Sequence, residues 1–155
     1  MKIKKGNKAP LFTLFDSDKQ EVSLETFHGK NVLLLFFPLA FTGVCTKELC
    51  QMRDEIKEYE ALNAQILGIS IDSLFTLEKF KEHEGYNFPL LSDFNKEVSQ
   101  SYGALHEEFA FGMRGVSKRS AFLIDKKGVI QYAEVLENPQ ELPNFIAIKE
   151  ILNHL

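Results

Sequence analysis

The feature that most constrains the fold is an apolar run that stops abruptly. Residues 32–37 are Val-Leu-Leu-Leu-Phe-Phe, too uniformly apolar for a strand that keeps one face in water. Such a run predicts a strand that is buried on both faces, at the centre of a sheet. Pro38 follows directly, and because it lacks an N–H it cannot donate to a sheet ladder. The strand is therefore expected to end there.

The segment after this strand has the features of a reactive-cysteine site. A short loop containing Gly43 leads into an amphipathic stretch that predicts a helix from Cys45 to about Tyr59. The first turn of a helix carries free backbone N–H groups and the positive end of the helix dipole, and both favour an anion. A thiolate is such an anion and is the nucleophilic form of cysteine. The pattern therefore indicates a nucleophilic Cys45 on the inward-facing stripe of the helix.

The other patterns define an order of strands and helices. The predicted elements are a hairpin over 10–24, a helical turn over 23–27, a strand over 65–71, a helix over 73–85, a strand over 88–91, a helix over 94–102, a loop over 105–118, a hairpin formed by 119–125 and 129–135, and a helix over 142–152 with Pro143 in its first turn. This order contains two parallel crossovers, an antiparallel hairpin and a closing helix. It predicts an α/β, thioredoxin-like fold, a mixed sheet with helices on both faces and an added N-terminal β-hairpin. Sites in such sheets lie at the carboxyl ends of strands, where Cys45 falls.

Length, charge and cysteine content limit the function. The 155 residues show no repeat or linker and predict one domain over 1–155. A net charge of −4 argues against binding to nucleic acid. The N-terminus lacks the apolar segment of a signal peptide, and no apolar run approaches a membrane span. Two cysteines without a secretion signal indicate a reducing compartment, so we expect a cytoplasmic protein without membrane contact.

The residues around Cys45 resemble a known family. Pro38-x-x-x-Thr42-x-x-Cys45, with Glu48 three residues further on and Arg119 opening Arg-Ser-Ala-Phe-Leu-Ile-Asp, is similar to the peroxiredoxins. The resemblance covers essentially the whole chain. It implies a thiol-dependent peroxidase that reduces hydrogen peroxide, alkyl hydroperoxides or peroxynitrite without a metal or an organic cofactor. The scattered histidines agree, since none pairs with a cysteine at the spacing of zinc ligands.

The resemblance assigns a role to each of these residues. Cys45, as thiolate, would attack one peroxide oxygen and become a sulfenic acid. Thr42 and Arg119 would stabilise the charge on the leaving oxygen, and Arg119 would also favour the thiolate. Pro38 would shield the sulfur and fix the loop. Glu48 would accept a hydrogen bond from Arg119 and hold its guanidinium in place. Alternatively, it would only be an acidic residue that interacts favourably with the helix dipole in the first turn.

Cys50 leaves two alternatives open. Five residues of helix separate two Cα atoms by about 9 Å, beyond the disulfide limit of about 7 Å, so a bond to Cys45 requires the helix start to unwind. A cysteine five positions after the nucleophile resembles the bacterioferritin-comigratory, or Q-type, peroxiredoxins, in which it is the resolving residue. Residues 36–43 resemble instead the one-cysteine, AhpE-like branch. Cys50 is therefore either the resolving cysteine, with re-reduction by an external thiol such as thioredoxin, or a packed bystander beside an enzyme that depends on an external thiol.

Two other classes and two assembly states remain as alternatives. A thioredoxin-type oxidoreductase requires Cys-x-x-Cys, whereas four residues separate the cysteines here. A non-enzymatic redox sensor would pass its oxidation to a partner by disulfide exchange. The Q-type resemblance implies a monomer, and the AhpE-like one a homodimer through loops beside the site. Apolar Phe109, Phe111 and Met113 in the predicted loop favour the dimer.

Overall fold

The apolar run forms the central strand of one mixed sheet. The computed structural model describes residues 2–155. The strands are β1 (Thr13–Asp16), β2 (Glu21–Ser23), β3 (Asn31–Phe36), β4 (Ala64–Ser70), β5 (Leu90–Ser92), β6 (Ser120–Ile124) and β7 (Ile130–Val135). Within the described residues they form a seven-stranded sheet in the order β2-β1-β5-β4-β3-β6-β7. The β3–β4 and β4–β5 pairs are parallel and the other pairs antiparallel, which confirms the mixed sheet and the N-terminal hairpin.

Helices cover both faces of this sheet. The helices are α1 (Gly43–Asp54), α2 (Ile56–Ala61), α3 (Leu74–Glu84), α4 (Glu97–Ser101) and α5 (Phe145–Asn153), with 3₁₀ turns at Leu24–Phe27 and Ala110–Gly112. Every residue of β3 is buried, and its side chains alternate between two cores. Leu33 and Leu35 share a core with α1, α2, α3 and α5, while Leu34 and Phe36 share the other with α4 and the N-terminal segment. The thioredoxin-like α/β fold is confirmed.

The predicted limits of α3 are confirmed by its capping residues. The Ser73 side chain accepts a hydrogen bond from the backbone N–H of Thr76 and so satisfies one of the free donors of the first turn. Gly85 ends the helix in the left-handed conformation, with φ of 65°.

The predicted continuous helix from Cys45 to Tyr59 is wrong in two respects. The helix begins earlier, at Gly43, and it is interrupted at Glu55, where φ is −103° and ψ is 12°. Met52 and Tyr59, on either side of the break, are both fully buried, so the apolar periodicity continues across it. Lys149 of α5 contacts the carboxylates of Glu55 and Glu58 and holds the interrupted segment against the body of the protein.

Two other helices are shorter than predicted because side chains cap them late. The Asp93 carboxylate accepts from the N–H groups of Val98 and Ser99, so α4 begins only at Glu97 and not at residue 94. Asn144 accepts from the N–H of Ala147 and caps α5, which therefore begins at Phe145. The sequence predicted Pro143 in the first turn of this helix, and that prediction is wrong, because Pro143 lies before the capping residue Asn144.

The helices of the described chain can be compared with the length and hydropathy of a membrane span. Among residues 2–155, none of the helices is both long enough and apolar enough to span a membrane.

Candidate active site

The loop after β3 is held in place by contacts with the end of β4. The backbone N–H of Ala40 donates to the Asp72 carboxylate at 2.8 Å, and the Ser70 hydroxyl donates to the same oxygen at 2.6 Å. Phe41 adopts the left-handed conformation, with φ of 65°, which is unfavourable for a side chain of this size. Its ring packs on that of Phe80 with 4.9 Å between centroids. These contacts support the strained backbone immediately before Thr42.

Thr42 stands at the N-cap position of α1 but does not use its side chain as a cap. Its carbonyl accepts the first helical hydrogen bond, from the N–H of Thr46 at 2.9 Å. Its hydroxyl donates to the carbonyl oxygen of Leu39 at 2.7 Å. Because the single hydroxyl proton is used there, the oxygen is left to accept a hydrogen bond. Thr42 therefore presents an acceptor to whatever enters the adjoining pocket, and not the donor to a leaving oxygen that the resemblance implied.

Cys45, Arg119 and Glu48 form a buried cluster at the start of α1. The Cys45 side chain is 1% exposed. Arg119, immediately before β6, donates from Nη2 to Cys45 Sγ at 3.2 Å and from Nη1 to Glu48 Oε1 at 2.7 Å. Its Nε donates to the carbonyl oxygen of Pro139 at 3.1 Å. Three acceptors, two on α1 and one in the loop before α5, thus fix the plane of the guanidinium against the sulfur.

One cation in this cluster serves two acidic groups. Glu48 is fully buried, and its second oxygen, Oε2, has no hydrogen-bond partner among residues 2–155. Burial raises the pKa of Glu48 to about 7, although the charge and hydrogen bond of Arg119 oppose the rise. Burial tends to lower the pKa of Arg119, but Glu48 and Cys45 outweigh it and hold that pKa above its ordinary value. Arg119 therefore stays charged, whereas the charge of Glu48 changes near neutral pH.

A pocket of about 310 Å³ opens over the sulfur. Its lining consists of Pro38, Leu39, Thr42, Gly43, Val44, Cys45, Phe109, Ala110, Arg119, Pro139 and Gln140. Four of the candidate catalytic residues, Pro38, Thr42, Cys45 and Arg119, thus meet at one cavity. Glu48 does not line the cavity but contacts Arg119. Pro139 was not anticipated, because it contributes a backbone carbonyl, which leaves no signature in a sequence.

Cys50 is not part of this pocket. It is half-buried, and neither cysteine is in a disulfide. Its Sγ lies 3.6 Å from Glu84 Oε1 and 3.8 Å from the Tyr86 hydroxyl. Sequence reasoning missed both neighbours, which are 34 and 36 residues away along the chain. The two cysteines therefore occupy separate environments on one helix.

The cluster has the elements needed for nucleophilic attack on a polar bond. A sulfur at a helix start can serve as a nucleophile, a fixed guanidinium beside it can stabilise developing negative charge, and a hydroxyl oxygen can accept a hydrogen bond. Within residues 2–155, no group of three or more His, Cys, Asp or Glu side chains is arranged to hold a metal ion.

The comparisons with known proteins agree on one family. The family model described as AhpC/TSA family matches residues 5–133. The chain is 43% identical over 140 residues to alkyl hydroperoxide reductase E of Mycobacterium tuberculosis, and the match covers 88% of each chain. It is 38% identical over 141 residues to the chloroplastic 2-Cys peroxiredoxin BAS1 of Spinacia oleracea, covering 84% of this chain and 51% of that protein.

Solved structures show the same fold. Peroxidoxin BcpB of Mycobacterium tuberculosis matches with a TM-score of 0.87 and 28% identity, covering 99% of this chain and 98% of that one. Peroxiredoxin Q of Xanthomonas campestris matches with a TM-score of 0.81 and 24% identity, covering 92% and 90%. The second match, at that identity, bears on the fold alone.

Proposed function

The chain belongs to the AhpC/TSA family and is a peroxiredoxin, a peroxidase, and on this premise we propose that Cys45 is its peroxidatic nucleophile. The supporting observation is the 3.2 Å contact between Arg119 Nη2 and Cys45 Sγ inside a buried pocket. We propose hydrogen peroxide and organic hydroperoxides as substrates. The name of the 43% identical relative, alkyl hydroperoxide reductase E, supports the organic class. Family membership favours this over a thioredoxin-type oxidoreductase or a non-enzymatic sensor.

The first step transfers one oxygen to sulfur. The Cys45 thiolate attacks the terminal peroxide oxygen, the S–O bond forms as the O–O bond breaks, and the leaving oxygen takes a proton to become water or an alcohol. Thr42 accepts a hydrogen bond from the peroxide and orients it. Arg119 stabilises the negative charge as it moves from sulfur to the leaving oxygen. Pro38 covers one side of the sulfur, and Glu48 holds the guanidinium in position.

The second step forms a disulfide with Cys50. The Cys50 sulfur attacks the sulfenic sulfur of Cys45 and water leaves, which yields an intramolecular disulfide. Because both cysteines lie on α1, its first turns must unwind in this step. An external dithiol such as thioredoxin then restores the two thiols, and we place the cycle in the reducing cytoplasm.

A one-cysteine cycle is the second candidate. The observation that favours it is the intact α1, on which Cys50 contacts Glu84 and Tyr86 and not Cys45. In that cycle a low-molecular-weight or protein thiol attacks the sulfenic acid, and Cys50 takes no part.

Thiol counting separates the two cycles. The wild type and Cys50→Ser are treated with one equivalent of hydrogen peroxide and analysed by intact mass spectrometry. We expect the wild type to lose both thiols and two hydrogens, and the variant to stop at a sulfenic acid on Cys45. An added oxygen on Cys45 with Cys50 still free in the wild type would establish the one-cysteine cycle. An unreactive Cys45 would remove its assignment as nucleophile.

We also propose that the chain forms a homodimer through the rim of the pocket. Phe109 and Ala110 of one loop and Leu39 and Thr42 of another line the pocket. The adjacent Phe41 and Phe111 are both exposed. Exposed aromatic groups next to the residues that line a site are typical of a surface that is covered in an assembly.

A further inference from the structure

Cys50 lies beside a carboxylate and a phenol that the first oxidation step does not use. We propose that Glu84 is the general base that takes the proton of Cys50 in the resolving step, and that the Tyr86 hydroxyl stabilises the thiolate so formed. This inference rests on the proposed function, because it requires that Cys50 attack the oxidised Cys45. It assigns to α3 and to the turn after it a role in the second half of the cycle.

The chemistry of a thiol and a carboxylate fixes which of them donates in the contact between Cys50 and Glu84. A carboxylate accepts hydrogen bonds and a thiol donates them, so the 3.6 Å contact is Cys50 Sγ donating to Glu84 Oε1. Two basic side chains lie close to Glu84. The Arg53 guanidinium donates to the Glu84 backbone carbonyl, and the exposed His83 lies 3.8 Å from the other carboxylate oxygen, Oε2. Oε1 therefore remains available to the thiol proton.

Tyr86 is built to donate and not to ionise. Its ring is packed between Phe80, at 5.1 Å, and Phe88, at 5.5 Å between centroids. Burial, with the contact to Cys50, holds the pKa of Tyr86 far above its ordinary value. The hydroxyl therefore keeps its proton. It lies 3.8 Å from Cys50 Sγ and 3.5 Å from the carbonyl oxygen of Thr46, so it is shared between the sulfur and the first turn of α1.

The two ends of α1 are attached differently, which decides which cysteine moves. At the far end, Asn87 donates to the Arg53 carbonyl at 3.2 Å and Arg53 contacts the Glu84 carbonyl. These bonds fix the half that carries Cys50 to the segment that carries Glu84 and Tyr86. The first turn meets that segment only through the long Tyr86–Thr46 contact among the hydrogen bonds of residues 2–155. Unwinding of the first turn thus carries Cys45 toward a stationary Cys50 and frees the Tyr86 hydroxyl for the sulfur.

The step balances without a further reactant. Glu84 takes the Cys50 proton, the Cys50 sulfur forms a bond to the Cys45 sulfur, and the S–O bond of the sulfenic acid breaks. The departing hydroxide takes the proton from Glu84 and leaves as water. The Cys45 sulfur is reduced and the Cys50 sulfur oxidised, and Glu84 ends as the carboxylate with which it began.

The test follows disulfide formation in a single turnover. Wild type, Glu84→Gln, Glu84→Asp, Tyr86→Phe and the control Glu82→Gln are mixed with one equivalent of hydrogen peroxide, quenched in acid at successive times and analysed by intact mass. Glu82 is exposed on the same helix, and its substitution removes the same charge without touching Cys50. Cys45 oxidation, which comes first, supplies the reference rate within each protein.

We expect Glu84→Gln to slow disulfide formation on the order of 10²-fold relative to Cys45 oxidation. Its remaining rate should rise about tenfold for each unit of pH, because hydroxide must then remove the proton. Glu84→Asp, which keeps a base, should recover part of the rate, and Tyr86→Phe should lose roughly tenfold. A merely structural role of Glu84 would not change the pH profile. If Glu84→Gln matches Glu82→Gln in rate and profile, the inference is overturned while the proposed cycle stands. If the wild type itself forms no Cys45–Cys50 disulfide, both fall.

Discussion

At the scale of single residues, the site depends on one guanidinium shared among three acceptors. Arg119 contacts the sulfur of Cys45, the carboxylate of Glu48 and the carbonyl of Pro139 with three different nitrogens. An ammonium group has the same charge but cannot reach three acceptors in a plane. The position of the charge, and not the charge alone, is therefore the property to test.

We predict that Arg119→Lys lowers the second-order rate of Cys45 oxidation by hydrogen peroxide by about 10²-fold. The rate falls because a lysine ammonium that pairs with Glu48 cannot also donate a hydrogen bond to the departing oxygen of the peroxide. The rate is measured by stopped-flow competition with a reference peroxidase. Arg114→Lys, at an exposed position of the loop before β6, is the control and should oxidise at the wild-type rate. Equal rates for the two variants would show that only the sign of the charge matters.

Glu48 should make the stability of the protein depend on pH in an unusual direction. Burial raises its pKa from the ordinary 4.5 to about 7, so between these values the native state holds a proton that the unfolded state has lost. The free energy of unfolding therefore falls as pH rises through this window, by roughly 3 kcal/mol from this group. Below pH 4.5 the favourable contribution is complete, and above pH 7 it is gone.

We predict that Glu48→Gln removes this slope, because glutamine keeps an acceptor for Arg119 and does not titrate. The measurement is urea unfolding of the wild type and the variant at several values between pH 4.5 and pH 8. The contributions of all other titratable groups cancel in the difference between the free energies of unfolding of the two proteins. A difference that is constant across this range would contradict a raised pKa for Glu48.

The sequence identifies the residues of the site that belong to a short pattern and misses those that do not. Pro38, Thr42 and Cys45 lie within eight positions, and a buried strand before them places them at the end of the sheet. Pro139 takes part through its backbone. Glu84 meets Cys50 only because α3 folds back beside α1, a contact that no local spacing encodes.

At the scale of elements, α1 is one helix with two attachments, and its first turn is the part expected to unwind. Gly43 begins this turn in an ordinary backbone conformation, and a Cβ added there would meet nothing within 4 Å. Alanine at such a position stabilises the folded turn by about 0.4–1 kcal/mol. In the proposed cycle the resolving step starts from the unwound turn, so this stabilisation would oppose it.

We predict that Gly43→Ala slows disulfide formation by up to about fivefold. More Cys45 should then reach the sulfinic acid under excess peroxide, because the sulfenic acid persists longer. The amounts of disulfide and sulfinic acid are read by mass spectrometry across a peroxide series. Asn153→Ala, which raises helix propensity at the end of α5, is the control and should not change the ratio. An unchanged ratio in Gly43→Ala would place the motion elsewhere.

Element types were predictable here, whereas element ends were set by contacts distant in sequence. The helical periodicity of the apolar residues predicted α1 and α2 as one helix, because buried positions continue through Met52 and Tyr59. The break at Glu55 coincides with a lysine ion pair to α5, 94 residues away. The start of α4 depends on the Asp93 carboxylate, whose reach to Val98 and Ser99 is a matter of loop geometry.

At the scale of the whole molecule, the exposed aromatic side chains beside the pocket bear on assembly. Phe111 is 98% exposed at the tip of its loop, in the left-handed conformation with φ of 60°. Leu11, 65% exposed, lies at the opposite end of the sheet, where it lines a groove with Val32 at the start of β3. The two residues offer a matched comparison between the site end and the far end.

We predict that Phe111→Ser weakens self-association by at least about tenfold, since exposed aromatic residues supply much of the energy of small interfaces. Sedimentation velocity across a concentration series measures the effect. Leu11→Ser removes a comparable apolar group and should sediment as the wild type does. A wild type that stays monomeric at every concentration would contradict the proposed homodimer.

The near-complete burial of Cys45 should also make its reactivity depend on the shape of the attacking reagent. A hydroperoxide carries its reactive oxygens at one end, so the O–O bond can reach the sulfur while the rest of the molecule stays at the rim. A maleimide or a quinone has its reactive carbon inside a ring, and a Cys45 side chain that is 1% exposed offers such a ring little surface to approach. Bulky electrophiles should therefore label the half-buried Cys50 before Cys45, the reverse of the order set by peroxide. By this expectation the protein would distinguish oxidants from alkylating agents by the shape of each reagent around its reactive atom.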